Sequence, residues 1–161
     1  MAMFEAFRKI MAELAEGGKE PARYDARDYR LAAAALLVHA AAIDGNIADV
    51  ERARLHSVVK QHFKLDDEDT DELIAEATVA DDNAIDLYRF TTQLNRTLDA
   101  IERARIVEMM WQVVYADGIV TEFEDNLIWR AADLLHVTRE ERIALKNQVA
   151  AEYDNKDNPA S

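Results

Sequence analysis

An acidic ten-residue pattern occurs twice in this chain at a fixed interval, and it limits the possible folds more than any other feature. AIDGNIADVE covers 42–51 and YADGIVTEFE covers 115–124. Asp44 and Asp117 are 73 residues apart (117 − 44), and so are Glu51 and Glu124 (124 − 51). Each copy reads D-G-x-[IV]-x-[DE]-x-E and lies between two segments of helical periodicity. The flanking apolar positions match at the same offset: Leu36, Leu37 and Val38 with Met109, Met110 and Trp111, and Leu55 with Ile128. Two helix–turn–helix units in register read as a duplicated half-domain. Closure about a pseudo-twofold axis would set the two acidic turns against each other.

The chain has 161 residues, enough for one domain with a substantial core. Glycine and proline are scarce, with 4 and 2 residues, which favours helix throughout. No segment alternates with period two, so the expected class is all-α. The formal net charge of −13 repels phosphate backbones and anionic lipid, and suits cations and basic protein surfaces. Nucleic acid is therefore not an expected partner. Without cysteine, disulfides, thiolate metal sites and cysteine nucleophiles are excluded. The longest apolar run, Leu31 to Ile43, is short of the roughly 20 residues that span a bilayer, so membrane insertion is not expected. The opening MAMFEAFRKIMAEL carries Glu5, Arg8 and Lys9 where a signal peptide has its apolar stretch.

Eight helices are expected. Met3, Phe4, Phe7, Ile10, Met11 and Leu14 form one face of an N-terminal amphipathic helix, closed by Gly17-Gly18 and a linker at Glu20-Pro21. A second helix should open at an Asp25 N-cap and end near Ile43, and a third should run from Asp49 to Phe63. The fourth is expected from Asp66 to Ala80, where carboxylates at its first turn favour the helix dipole. The fifth should span Asn83 to Asn95. Capping boxes at Asp99/Glu102, Thr121/Glu124 and Thr138/Glu141 should open the sixth, seventh and eighth. Gly45 and Gly118 are placed to supply left-handed residues after helix ends. These boundaries give an N-terminal helix and linker over 1–24, a helical domain over 25–154 and a disordered tail over 155–161. His39 reads as a satisfied core histidine, and Trp111 and Trp129 both fall at core spacing.

The turns admit two readings. D-G-x-[IV]-x-x-x-E is the second half of an EF-hand loop, but the positions matching that loop's first ligands are Ala40, Ala42, Val113 and Tyr115. One turn alone is a poor calcium site, because calcium takes roughly 6–8 oxygens; two facing turns could approach that number. Against this stands plain helix chemistry. Glu51 and Glu124 sit at third helical positions, where a capping box accounts for a glutamate, although Ala48 offers Glu51 no hydroxyl. Asp49 and Glu122 fall in first turns, where negative charge is favourable. Asp44 and Asp117 follow helix C-termini, where the dipole opposes a carboxylate unless an Asx-turn or a cation compensates. No nucleophile–base motif, Walker loop, zincin helix or dinucleotide fingerprint occurs, so no enzyme is expected.

AAIDGNIADVERARL (41–55) and VYADGIVTEFEDNLIWRAADLLHV (114–137) resemble the tellurite-resistance TerB family, with a likeness over 29–153. The resemblance implies a pseudo-twofold bundle of about seven core helices, to which the N-terminal amphipathic helix is an addition. It implies a non-enzymatic, cytoplasmic domain of bacterial stress and metal resistance. Family members are thought to link membrane-associated and cytosolic stress proteins, so protein partners are expected. It also implies a divalent metal held by Asp44, Asp49, Glu51, Asp117, Glu122 and Glu124. The all-oxygen ligand set points to calcium, magnesium or manganese. The alternative is an acidic helical adaptor that docks basic proteins and has no functional metal.

Overall fold

The computed structural model describes residues 28–45 and 47–157. Among the described residues there is no strand, and seven α-helices follow one another: α1 (Tyr29–Ala42), α2 (Asp49–Phe63), α3 (Asp67–Asn83), α4 (Tyr88–Thr97), α5 (Ala100–Val114), α6 (Glu122–Leu134) and α7 (Arg139–Asp157). A single 3-10 turn, Tyr115–Asp117, continues α5. The expected N-terminal helix, its glycine stop and linker, and Asp25 lie outside the described residues.

Helix α1 is the hub. It packs against α2, α3, α4, α5 and α6. Its sequence explains the position: Ala32 to Ala35, Leu36, Leu37, Val38, Ala40 and Ala41 are all buried. Four consecutive alanines cover more than one turn, so every side of the helix is small and neighbouring helices can approach closely. Larger side chains fill the remaining space, among them Trp111 and Met110 from α5, Leu55 from α2 and Ile128 from α6. The flanking apolar residues matched at the 73-residue offset are all buried, and the helices after the turns start at Asp49 and Glu122, again 73 apart (122 − 49). The duplication is therefore present in packing as well as in letters.

Several boundaries differ from expectation. Helix α1 is capped by Asp28, which accepts the Arg30 amide at 2.9 Å while its second oxygen takes the Arg30 guanidinium at 2.7 Å. Helix α3 continues to Asn83, and α4 begins only at Tyr88, whose amide is held by Asp86 at 3.0 Å. The three capping boxes form as expected, at Asp99/Glu102, Thr121/Glu124 and Thr138/Glu141. Helix α7 runs to Asp157, past the position where a tail was expected. Trp111 is buried but Trp129 is not: it is 55% exposed, with the Arg142 guanidinium 5.5 Å from its ring centre. The buried stripe of α6 is Glu124, Leu127, Ile128, Ala131 and Ala132, and Trp129 lies about 100° off Ile128 around the helix. His39 is at the margin of the core rather than inside it, and its Nδ1 meets the Asp81 carboxylate at 2.8 Å.

Candidate functional site

Both turns are made by glycine in the left-handed region, φ +98° at Gly45 and +82° at Gly118. These angles reverse the chain after α1 and after the 3-10 turn, and point the next helices, α2 and α6, back along the bundle. Helix α2 packs against the 3-10 turn, so the start of one half meets the turn of the other. A hydrogen bond closes the junction. The Thr121 hydroxyl donates to the Asp44 carboxylate at 3.4 Å. The same hydroxyl accepts the Glu124 amide at 3.1 Å, and the Glu124 carboxylate accepts the Thr121 amide at 2.9 Å. The capping box of the second turn thereby reaches across to the aspartate of the first.

Glu51 and Glu124 are the buried acids at this junction. Glu51 is only 7% exposed, and its Oε2 has no hydrogen-bond partner among the described residues. Burial pushes its pKa up to about 7; Glu124 raises it further, a hydrogen bond from the Ala48 backbone works in the opposite direction, and Asp117 and Asp44 add smaller upward effects. Glu124 is also raised, by burial first and then by Asp44 and Asp117, against the lowering effect of its bonds to Thr121. Asp44, Glu51, Asp117 and Glu124 thus share one electrostatic environment.

The other two candidates stand apart. Asp49 and Glu122 are exposed in the first turns of α2 and α6, and neither bonds to the other four. Asp117 has the Asx-turn that offsets its position at a helix end: its carboxylate accepts the Ile119 amide at 3.0 Å. The corresponding donor for Asp44 would be Asn46, outside the described residues. None of the six carboxylates forms an ion pair among the described residues. Elsewhere acids find basic partners readily: Asp67 pairs with Lys60 and Asp125 with Lys146, each at 2.7 Å, and the His56 ring nitrogen lies 3.1 Å from Asp71.

The donors fit a hard divalent cation in kind, since carboxylates and one hydroxyl are all oxygen ligands. Glu51 fits it in a stronger sense, because a buried acceptor without a donor is a group that a cation satisfies. In their present rotamers, however, no three His, Cys, Asp or Glu side chains among the described residues converge on one ion position. The exposed carboxylates of Asp44 and Asp117 would have to rotate inward.

One contact had no signal in the sequence. The Tyr153 ring of α7 lies over the second turn, so that a Cβ at Gly118 would come within 2.8 Å of its hydroxyl; at Gly45 there is open space. Another contact, the Thr121–Asp44 bond, was implicit in the repeat, because closing the halves brings position 121 toward position 44.

Two helix–turn–helix halves, joined at a pair of acidic turns around a shared helical core, define a duplicated all-α domain of the acidic-turn type. The family model for Tellurite resistance protein TerB matches residues 30–147, and the chain belongs to that family. No curated protein and no solved structure matches it. Among the described residues, no helix is long and apolar enough to cross a membrane.

Proposed function

We propose that this is a non-enzymatic, tellurite-resistance-type domain of the cytoplasm whose two turns jointly bind a divalent, oxygen-preferring cation. The observation that carries the reading is Glu51. Among the described residues its buried Oε2 has no donor, three further carboxylates raise its pKa, and no basic side chain forms an ion pair with the group. Leaving a buried acceptor unsatisfied costs on the order of 1–3 kcal/mol, and a cation would relieve that cost along with the repulsion. Asp44, Glu51, Asp117 and Glu124 would be the inner ligands. Asp49 and Glu122 would act at longer range or through water. Calcium, magnesium and manganese suit these ligands better than zinc.

The test is thermal unfolding with and without each metal. A cation at about 100 times its dissociation constant adds about 2.7 kcal/mol, or roughly 5–10 °C for a chain of this size. A melting temperature unmoved by millimolar calcium, magnesium and manganese would refute the site. So would the same rise in an Asp44→Asn, Asp117→Asn double variant.

The absence of three converging ligands favours a second reading, an acidic adaptor whose turns are structural and whose charge serves protein partners. Such partners would include other tellurite-resistance or membrane-associated stress proteins. In that case metals leave the melting temperature unchanged, while binding of a basic protein weakens steeply with salt.

A further inference from the structure

The repeat extends to a third helix in each half, and there the halves part. Helix α3 follows α2 as α7 follows α6, and the two align at an offset of 72. The N-caps Asp66 and Thr138 match (138 − 66), each accepting the amide of its third helical residue, Asp69 or Glu141. Ala77 and Val149, both buried, match as well (149 − 77). The same offset pairs Asp81 with Tyr153 (153 − 81). Asp81 meets the His39 ring of α1 at 2.8 Å, and at Gly45 nothing lies within 4 Å of where a Cβ would stand. Tyr153 instead covers the second turn. A Cβ at Gly118 would lie 2.8 Å from its hydroxyl, 3.1 Å from its Cζ and 3.2 Å from its Cε1. Seven residues earlier (153 − 146), close to two full turns and so on the same face, Lys146 pairs with Asp125 in the first turn of α6 at 2.7 Å. Its Nζ also lies 5.2 Å from the centre of the Trp111 ring of α5. Helix α7 therefore holds the second turn at Gly118 and, just beyond it, at Asp125. Gly118 lies inside the Asx-turn in which the Asp117 carboxylate accepts the Ile119 amide, and its own amide closes the 3-10 turn on the Tyr115 carbonyl at 2.9 Å. A shift of Gly118 moves Asp117 with it.

We infer that Tyr153 is a positioning residue for the joint cation site: by holding Gly118 it fixes the backbone that carries Asp117, so the second turn is the preset part of the site and the uncovered first turn supplies the movement. This rests on the cation-binding reading above and names the residue outside the turns that controls it. Setting half of the ligands in advance removes an ordering cost that binding would otherwise meet. Groups that orient metal ligands without touching the ion typically change metal affinity by about 10–100-fold. The coupling is reciprocal: if the Tyr153 ring strengthens ion binding, the ion strengthens the packing of the ring by the same factor.

The test is calorimetric titration of the full chain with calcium, magnesium and manganese, well below its melting temperature, with amide hydrogen exchange as a second readout. Tyr153→Ala should weaken the bound metal by roughly tenfold or more. Tyr153→Phe keeps the ring against Gly118 and should bind like the parent. Phe90→Leu, a core change in α4, which packs against α1 and α6, should lower the melting temperature and leave metal affinity unchanged, which separates positioning from stability. Metal should slow exchange of the backbone amides of 150–154 in the parent and not in Tyr153→Ala. Equal metal affinity in Tyr153→Ala and parent would overturn the positioning role and leave the joint site standing. So would exchange at 150–154 that a bound metal does not move. A parent that binds none of the three metals would remove the joint site itself, and the role of Tyr153 with it.

Discussion

The two acidic turns share a sequence pattern and differ in how far their polar groups are satisfied. In the second turn Thr121 caps α6, Glu124 completes the box, Asp117 closes an Asx-turn and Tyr153 lies across Gly118. The first turn has Ala48 at the capping position with no side-chain bond, open space at Gly45 and a buried Glu51 oxygen without a donor among the described residues. Once duplicated, a motif is free to specialise. The second copy is built as a structural corner, and the first is left with unmet electrostatic demand. Function is expected where local rules are broken without local compensation, and that is the first turn.

The largest test of this contrast is at the glycines. Alanine at either position must adopt a left-handed backbone, which costs about 1–2 kcal/mol. At Gly118 the new Cβ must also displace the Tyr153 ring, for a total of roughly 2–4 kcal/mol in urea unfolding. Combining Gly118→Ala with Tyr153→Ala should recover the excess. Equal losses at the two glycines would show that Tyr153 yields freely and that the turns differ only in charge.

The next test is pH. Glu51 has a folded pKa near 7, above the ordinary glutamate value of 4.5, so the folded state favours its protonated form. Its contribution to stability is therefore fully present below about pH 4.5 and is lost as pH rises through 7. Glu51→Gln should flatten that part of the profile. The variant should be more stable than the parent at about pH 8 and lose the advantage near pH 4.5. Glu124→Gln should act in the same direction and keep its cap, since glutamine also serves in a capping box. A stability profile identical in Glu51→Gln and parent would mean that Glu51 is solvated and the contrast between the turns is false.

The smallest effects concern the caps. Thr121→Ala should cost about 1 kcal/mol and release Asp44, while Ala48→Thr should gain a similar amount by giving the first turn the cap of the second. If Glu51 is held ready for a cation, Ala48→Thr should also weaken metal binding by engaging that carboxylate in a box. An unchanged metal response with improved stability would separate capping from ligation.

Much of this was legible because repeats and caps are local chemistry. Gly45, Gly118 and the three capping boxes follow from residue type and spacing, and the matched core positions follow from the repeat. Helix α1 opens at Asp28 rather than at the expected Asp25, a choice between two residues of the same type that spacing alone does not make; Asp28 holds both the Arg30 amide and its guanidinium. Trp129 lies outside the core despite its core spacing, because a step of one residue along a helix turns a side chain off the buried stripe. The proximity of Glu51 to Glu124 could be expected from the duplication. The state of Glu51 could not, because desolvation depends on what surrounds a group in three dimensions.

The bond between Asp44 and Thr121 joins positions 77 residues apart, which sets when the site can exist. A contiguous ion loop is complete once its own dozen or so residues have been made. Here the first turn leaves the ribosome and waits for its counterpart, roughly 4–15 s at ordinary synthesis rates. Until the second half docks, Glu51 is a solvated carboxylate like any other. An ion held by both turns therefore cannot template early folding. Under the proposed joint site it would instead act as a latch on the finished domain, lowering the rate of unfolding while leaving the first steps of folding untouched.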